Sequence, residues 1–520
     1  MSASITDKVK RELLTELYDD FAGKIASGDV PSIPAIPHYI GVGRPEEWDS
    51  VTATPTTVAV GAANPPVPNS SFNEVLEFQS SLQSIKKVSD VSYVVPRYNW
   101  SSGSVYTSWD DNNSSDTTIG SSKDIVGPYY VITDQNNVFV CIQTGRTASG
   151  VVANSIYKPT NTGLIAFVTP DGYVWKFLFN VGVYNSRRYL TSNYIPVEYV
   201  PEVSSEIGYK SPENLSASRK QQYDVQIAAA VKRGEILSIV VESGGTGYTV
   251  PPVLTIRGSG TAALCFPLLD ANGSIYQVIM KLNDAETDYS FGAGYDEKTW
   301  ITSVRDAADS AAAVDAVLRP VICTKGIGAD PRKDLNSSAL MYSARLVGSE
   351  SNFFPTTSDY RQVGLIKSPL VDDSAAAPQV AFTAFRGSAE KKLLVDKTTS
   401  GFDPTKIVAS TIVTGATSGA TAVVDFYDSD SSTQGTLRVH QTLSTGWYGF
   451  ALGETLNFNT AAVGTAVCRA GVIVDGVLPP VGLQYADVDN YSGDVMYIDN
   501  RVAMIRDSDQ TEDIKIIIDL

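Results

Sequence analysis

The chain has 520 residues, 43% hydrophobic and 19% charged, which is too long for one hydrophobic core and too apolar for disorder; at about 150 residues per domain, roughly three compact units are expected. Fifty-seven acidic residues against forty basic ones leave a net charge of −17, which repels a phosphate backbone and argues against nucleic acid as a partner. No run of about eighteen apolar residues offers a bilayer span, and the charged start MSASITDKVKRELL is unlike a signal peptide, so synthesis in a cytoplasm is expected.

Ile5, Val9, Leu13, Leu17 and Phe21 recur at helical spacing, with Thr6 or Asp7 placed to cap the first turn, which predicts a helix ending near Ala26-Ser27-Gly28. Pro31 to Pro37 continue as extended chain. From there to about residue 200 strands and loops dominate. YVITDQNNVFVCIQ (130–143) alternates around Asn136-Asn137 as a hairpin, and the polar stretch Ser101 to Ser122 reads as an extended loop. At about Lys232 the composition turns to Gly, Thr and Val and a repeat appears: GEILSIVVESGGTGYTVPP from Gly234, and GSIYQVIM…FGAGYDE from Gly273. Each copy reads as a short buried strand, then a glycine turn whose tyrosine, Tyr248 or Tyr295, packs back. An Ala-rich stretch from Val304 to Leu318 reads as helix, as does Arg332 to Met341. The Gly/Thr pattern returns at GATSGATAVVDF (415–426) and more loosely at GTAVC (464–468). The last stretch, SGDVMYIDNRVAMIRDSDQTEDIKIIIDL, holds two strand-like runs that return the chain to the main body. The expected fold is mixed α+β and β-dominated: a discontinuous core domain (1–231, 303–404 and 478–520) with two small inserted β domains at 232–302 and 405–477.

A search for chemistry finds little to build on. His38 and His440 are the only histidines, and neither has a recognisable partner set, so structural roles are expected for both. Cys141, Cys265, Cys323 and Cys468 are too scattered for a disulfide framework or a zinc site and read as small buried hydrophobes. The adjacent pairs Asp110-Asp111 and Asp372-Asp373 cannot straddle a glycosidic bond. DFYDSDSS (425–432) groups Asp425, Asp428 and Asp430 as a calcium loop would, yet lacks the glycine turn and the terminal glutamate, so a solvated turn is expected. No phosphate loop, nucleophile elbow or H-E-x-x-H helix is present. Catalytic, cofactor and metal residues are therefore expected to be none. Twenty-six tyrosines and six tryptophans, with Trp48, Tyr98 and Trp100 in loop-like settings, favour an interaction protein.

Six segments in order carry a family resemblance: IGVGRPEEWDS (40–50), VVPRYNW (94–100), DGYVWKFLF (171–179) followed by SNYIPV (192–197), DYRQVGLIKSP (359–369), SGDVMYIDNR (492–501) and DQTEDIKIII (509–518). Together they resemble the baseplate wedge family of contractile-tailed bacteriophages represented by gene product eight. The resemblance covers about 1–230, 320–400 and 478–520, and the two Gly/Thr-rich segments look like small β modules of phage tail proteins. It implies a virion protein of the tail baseplate, a homodimer within each wedge, contacts with other wedge proteins, a part in the switch that triggers sheath contraction, and no enzymatic activity. Within these motifs Trp175 is expected in the core behind a turn at Asp171-Gly172, while Arg44, Arg97, Arg361 and Arg501 suit carboxylate pairs or solvated surface equally. Two rivals remain: a receptor-binding or fibre-type adhesin whose β modules present aromatics to a glycan, and an enzyme degrading envelope polysaccharide, which needs two carboxylates across a cleft.

Overall fold

The computed structural model describes residues 7–23, 34–46, 48, 65–110, 127–147, 150–202, 209–282, 288–306, 309, 314–347, 354, 359–372, 379–397, 401–408, 411–442, 444–469, 482–507 and 509–520. Strand makes up 42% and helix 13%, so the fold is mixed α+β and β-dominated. The chain divides into two compact units. The first comprises Met1–Pro34, Ser92–Met341 and Ile517–Leu520, and the second comprises Ala35–Val91 and Tyr342–Ile516.

The first unit opens with the helix Asp7–Ala22. It stops earlier than its spacing suggested, at Gly23, whose φ of 78° lets its N–H return to the Asp19 carbonyl at 2.7 Å. An antiparallel sheet follows in the order Tyr130–Ile132, Asn137–Gln143, Val174–Asn180, Phe167–Val168. Its hairpin turns at Asn136, held at φ 60°, a conformation asparagine tolerates because its side chain bonds locally. Trp175 is fully buried with Tyr106, Phe139, Cys141, Tyr173 and Phe177, and the helix Ala217–Ala230 adds Val225 to this cluster. A second sheet runs Cys265–Leu269, Ile275–Met280, Glu235–Ser243, Val317–Cys323. Both repeat tyrosines pack back behind glycines of positive φ: Tyr248 after Gly245 and Gly247, Tyr295 after Gly292 and Gly294.

Two expected helices give way to other structure. Trp300–Val304 and Val317–Cys323 are strands at either end of the Ala-rich stretch, because these β-branched and aromatic flanks find cross-strand partners; the alanines at 307–308 and 311–313 lie outside the described residues. The helix Pro331–Asp334 ends after one turn, where Asn336 adopts φ 53°, and Ala339–Val347 is a strand. Three helices among the described residues went unread: Val183–Arg188, Ala217–Ala230, and Phe72–Ser80, whose Ser71 hydroxyl accepts the Glu74 N–H at 3.3 Å.

The second unit is built on a five-stranded sheet, Arg386–Ser388, Leu82–Lys87, His38–Gly43, Tyr360–Lys367, Asp494–Met504. At its centre Gly41 faces Gly364 across the ladder, and the ring of Phe78 rests on both. A Cβ on Gly364 would stand 2.3 Å from that ring, so two glycines in register make the seat for the helix Phe72–Ser80. The same unit contains a closed antiparallel barrel: Lys391–Asp396, Gln434–His440, Thr421–Ser429, Thr411–Gly415, Thr455–Phe458 and Thr465–Cys468, with Lys391–Asp396 pairing on both sides. Period-two alternation turns Leu393, Val395, Ala422, Val424, Leu437, Val439, Ala466 and Cys468 inward. The barrel thus starts at Lys391, upstream of the expected boundary at 405.

Candidate functional site

The sequence candidates find separate partners. Asp110 pairs with Arg319 at 2.6 Å, and Asp372 accepts the Ala486 N–H at 2.8 Å; Asp111 and Asp373 lie outside the described residues. Asp425, Asp428 and Asp430 diverge: Asp425 turns to His440, Asp428 to Arg438 at 3.4 Å, and Asp430 to Thr436 and Arg469. Among the described residues no group of three or more His, Cys, Asp or Glu side chains converges as metal ligands. Tyr98 packs on Tyr130, Trp100 against the aromatic core, and Trp48 is buried with its indole N–H on the Arg501 carbonyl at 2.9 Å. All four cysteines are free thiols; Cys141, Cys323 and Cys468 are buried and Cys265 partly so, and burial pushes each thiol up. No helix among the described residues is long and apolar enough to cross a membrane.

What the structure does bring together is the IGVGRPEEW motif and the barrel, within the second unit. Leaving the central strand at Gly43, the chain enters Arg44 at φ 59° and runs on as a strap through Pro45 and Glu46, with Trp48 as its anchor. Arg44 lies 4.0 Å over the Trp48 ring and 3.7 Å from Glu77, while Arg361 donates to the Pro45 carbonyl and pairs with Asp359 at 3.0 Å. Three of the four motif arginines thus hold or cover the strap or its anchor: Arg44, Arg361, and Arg501 through its carbonyl. Arg97, in the first unit, donates instead to Asn99 and to the Thr191 carbonyl.

Between its neighbours Glu46 reaches the barrel, where its carboxylate meets His440 Nε2 at 2.5 Å, and His440 Nδ1 meets Asp425 at 2.8 Å. The ladder slips one residue between Val424 and Phe426, so Asp425 sits at a bulge on the face away from the barrel's interior, beside His440. Burial alone would discharge the imidazole, yet the two carboxylates outweigh it and hold its pKa well above the usual range; the same cation lowers Glu46 against its own desolvation. Beside them Glu390 is 1% exposed, and neither carboxyl oxygen has a hydrogen-bond partner among the described residues. Burial, then the charge of Asp425, push it well up, so it is held neutral. An imidazolium clamped between two carboxylates is a fastening, since both of its nitrogens are occupied and neither is free to take or give a substrate proton. Sequence reading missed it because Glu46 and His440 stand nearly four hundred residues apart; the one local sign was Asp425 on a strand preceding the LRVH run.

A second buried group lies in the first unit. Lys176, 4% exposed, shares its strand with Trp175 but faces the other way, and burial lowers its ammonium. Asp334 accepts the Gly328 N–H at 2.8 Å, and burial raises its carboxyl to about 8. Lys232 bridges Asp288 at 2.7 Å and Glu235 at 3.8 Å. Shifts of this kind also mark active sites. Two clefts of this unit, at Gln143 and Arg146, are not lined by these side chains, so neither gives a substrate access to the group.

No protein-family model matches the chain, and no curated protein matches it.

Proposed function

We propose that this chain is a structural subunit of the baseplate wedge of a contractile phage tail, pairing as a homodimer, meeting other wedge proteins through its surface, taking part in the switch that triggers sheath contraction, and working without catalysis. One observation carries the reading. Three segments of the family resemblance, at 40–50, 359–369 and 492–501, contribute the three adjacent strands His38–Gly43, Tyr360–Lys367 and Asp494–Met504 of one sheet. In the first unit VVPRYNW and SNYIPV likewise pair, Tyr93 to Val197 through Pro96 to Tyr194. Segments separated by hundreds of residues that return to one frame, with β modules strung between them, are what an assembly scaffold carrying added modules requires. A strap closed by a buried ion triad supports the same reading, because strain passes between elements only if they are joined firmly.

A specific observation also favours the adhesin alternative. In the second unit Trp447 and Tyr448 are exposed, and the Trp447 indole donates to the Tyr491 hydroxyl at 2.7 Å, an aromatic shelf of the kind that stacks on sugars. Antibodies against 232–302, located on intact virions by electron microscopy, separate the two. A ring of label at the distal end of the tail is the expected result, label at fibre tips supports the adhesin, and absence from virions overturns both.

A further inference from the structure

Within the first unit two adjoining clefts, of about 420 and 580 Å³, share Gln143, Arg146 and Gln277 as their common wall. They lie where the strand Asn137–Gln143 approaches Glu235–Ser243 and Ile275–Met280. Gly150 makes this approach possible: at φ 80°, a Cβ there would stand 3.0 Å from Tyr276. The Gln277 amide donates to the Thr144 carbonyl at 3.0 Å and fixes one side of the wall.

The polar groups facing this space are only partly engaged. Arg146 spends one N–H on the Gly150 carbonyl at 2.9 Å and has no carboxylate partner among the described residues. Lys281, at the far end, has none either and lies 5.4 Å over the Phe266 ring. The Gln143 carboxamide makes no hydrogen bond among the described residues, although the residue is only 8% exposed. Ser238 lines the smaller cleft, is 4% exposed, and its hydroxyl has no partner among the described residues. The one acid in the lining among the described residues, Glu242, is already bound to Arg319 at 3.3 Å. In a chain of net charge −17, two cations without counter-ions among the described residues, beside an idle amide and an orphaned buried hydroxyl, require an explanation.

We propose that this double cleft binds a short acidic saccharide, one or two sugar rings bearing a carboxylate. Arg146 offers its fork to the carboxylate, with Lys281 as the second cation. Gln143, Gln277 and Ser238 face the ring hydroxyls, and Tyr276 and Tyr289 supply faces for the apolar side of a ring. The space suits a ligand of that size, whereas a polyanion would be repelled by the whole chain. This assignment stands on the cleft alone and holds for a wedge protein or an adhesin.

The test is calorimetric titration of the full chain with a uronic acid disaccharide, its neutral counterpart, and acetate. Saturable binding of the acidic disaccharide in the range of roughly 10 μM to 1 mM is expected, with the neutral sugar and Arg146→Gln each about tenfold weaker. Because Arg146 also shapes its loop, Lys281→Gln, an exposed position, provides a second variant expected to weaken binding about fivefold. Absence of saturable binding at about 10 mM overturns the proposal. So does binding unchanged in the double variant, and acetate competing as well as the sugar would reduce the site to a simple anion patch and overturn the saccharide assignment.

Discussion

The two Gly/Thr-rich regions look alike in sequence and fold on different terms. The barrel that starts at Lys391 closes on itself, and its thirteen buried core residues, from Leu393 to Leu483, form a cluster of their own. The region from Glu235 to Cys323 is broken into short sheets and leaves Val253, Leu264, Phe266, Trp300, Val304 and Val317 exposed or nearly so. Its best-buried side chains lie on Glu235–Ser243, Ile275–Met280 and Val317–Cys323, three strands of one sheet, the first two lining a cleft with the aromatic sheet of the same unit. Glycine turns with returning tyrosines are therefore a local grammar that specifies hairpins, while closure of the ladder decides whether a region owns its core.

The sharpest way to break this comparison is excision. Residues 391–484 alone are expected to unfold cooperatively in urea, and residues 232–323 alone to give no cooperative transition; the reverse result would remove the contrast. Next in size is the clamp. His440→Ala in the full chain leaves the buried Asp425 and the partly buried Glu46 without a counter-charge and is expected to cost about 3 kcal/mol of second-unit stability by chemical denaturation. In the excised barrel, where Glu46 is absent and the outer face is wetted, the same change is expected to cost about 1 kcal/mol or less.

Smaller effects sharpen it further. Gly364→Ala drives a methyl into the Phe78 ring and is expected to cost about 1–3 kcal/mol without touching the barrel, which proteolysis of the variant would reveal as a surviving fragment. The pH dependences of the two units also differ. Asp334, raised to about 8, keeps its proton in the folded state while the unfolded chain releases it near 4. Its contribution is fully present below that pH and is lost as pH rises toward 8, so first-unit stability falls over this window, and Asp334→Asn flattens the fall. His440, also raised, contributes in the second unit below the ordinary histidine range and loses that contribution only as pH climbs through its own elevated value. Glu46, lowered, adds stability that is lost on acidification.

Much of this architecture was legible because it is local. The Asn136 turn, Trp175 behind Gly172 and the packing of Tyr248 and Tyr295 follow from side-chain period and from residues that tolerate positive φ. The N-terminal helix was legible to within a few residues, and the Ser71 cap that starts Phe72–Ser80 was present but unread. The alanine-rich flank failed for the opposite reason. Val317–Cys323 is a strand because Glu235–Ser243 lies beside it, and no window of sequence contains both.

The candidate site divides along the same line. Residue types alone determined a β-rich chain with few histidines, a heavy negative charge and turn-forming glycines, since composition and spacing act at short range. Only the tertiary structure placed Glu46 against His440, set Gly41 opposite Gly364, closed the barrel through Lys391–Asp396 and left Arg146 and Lys281 facing a shared cleft. Each of these joins residues distant in the chain, and their energies come from burial and pairing that arise once the backbone has brought them together.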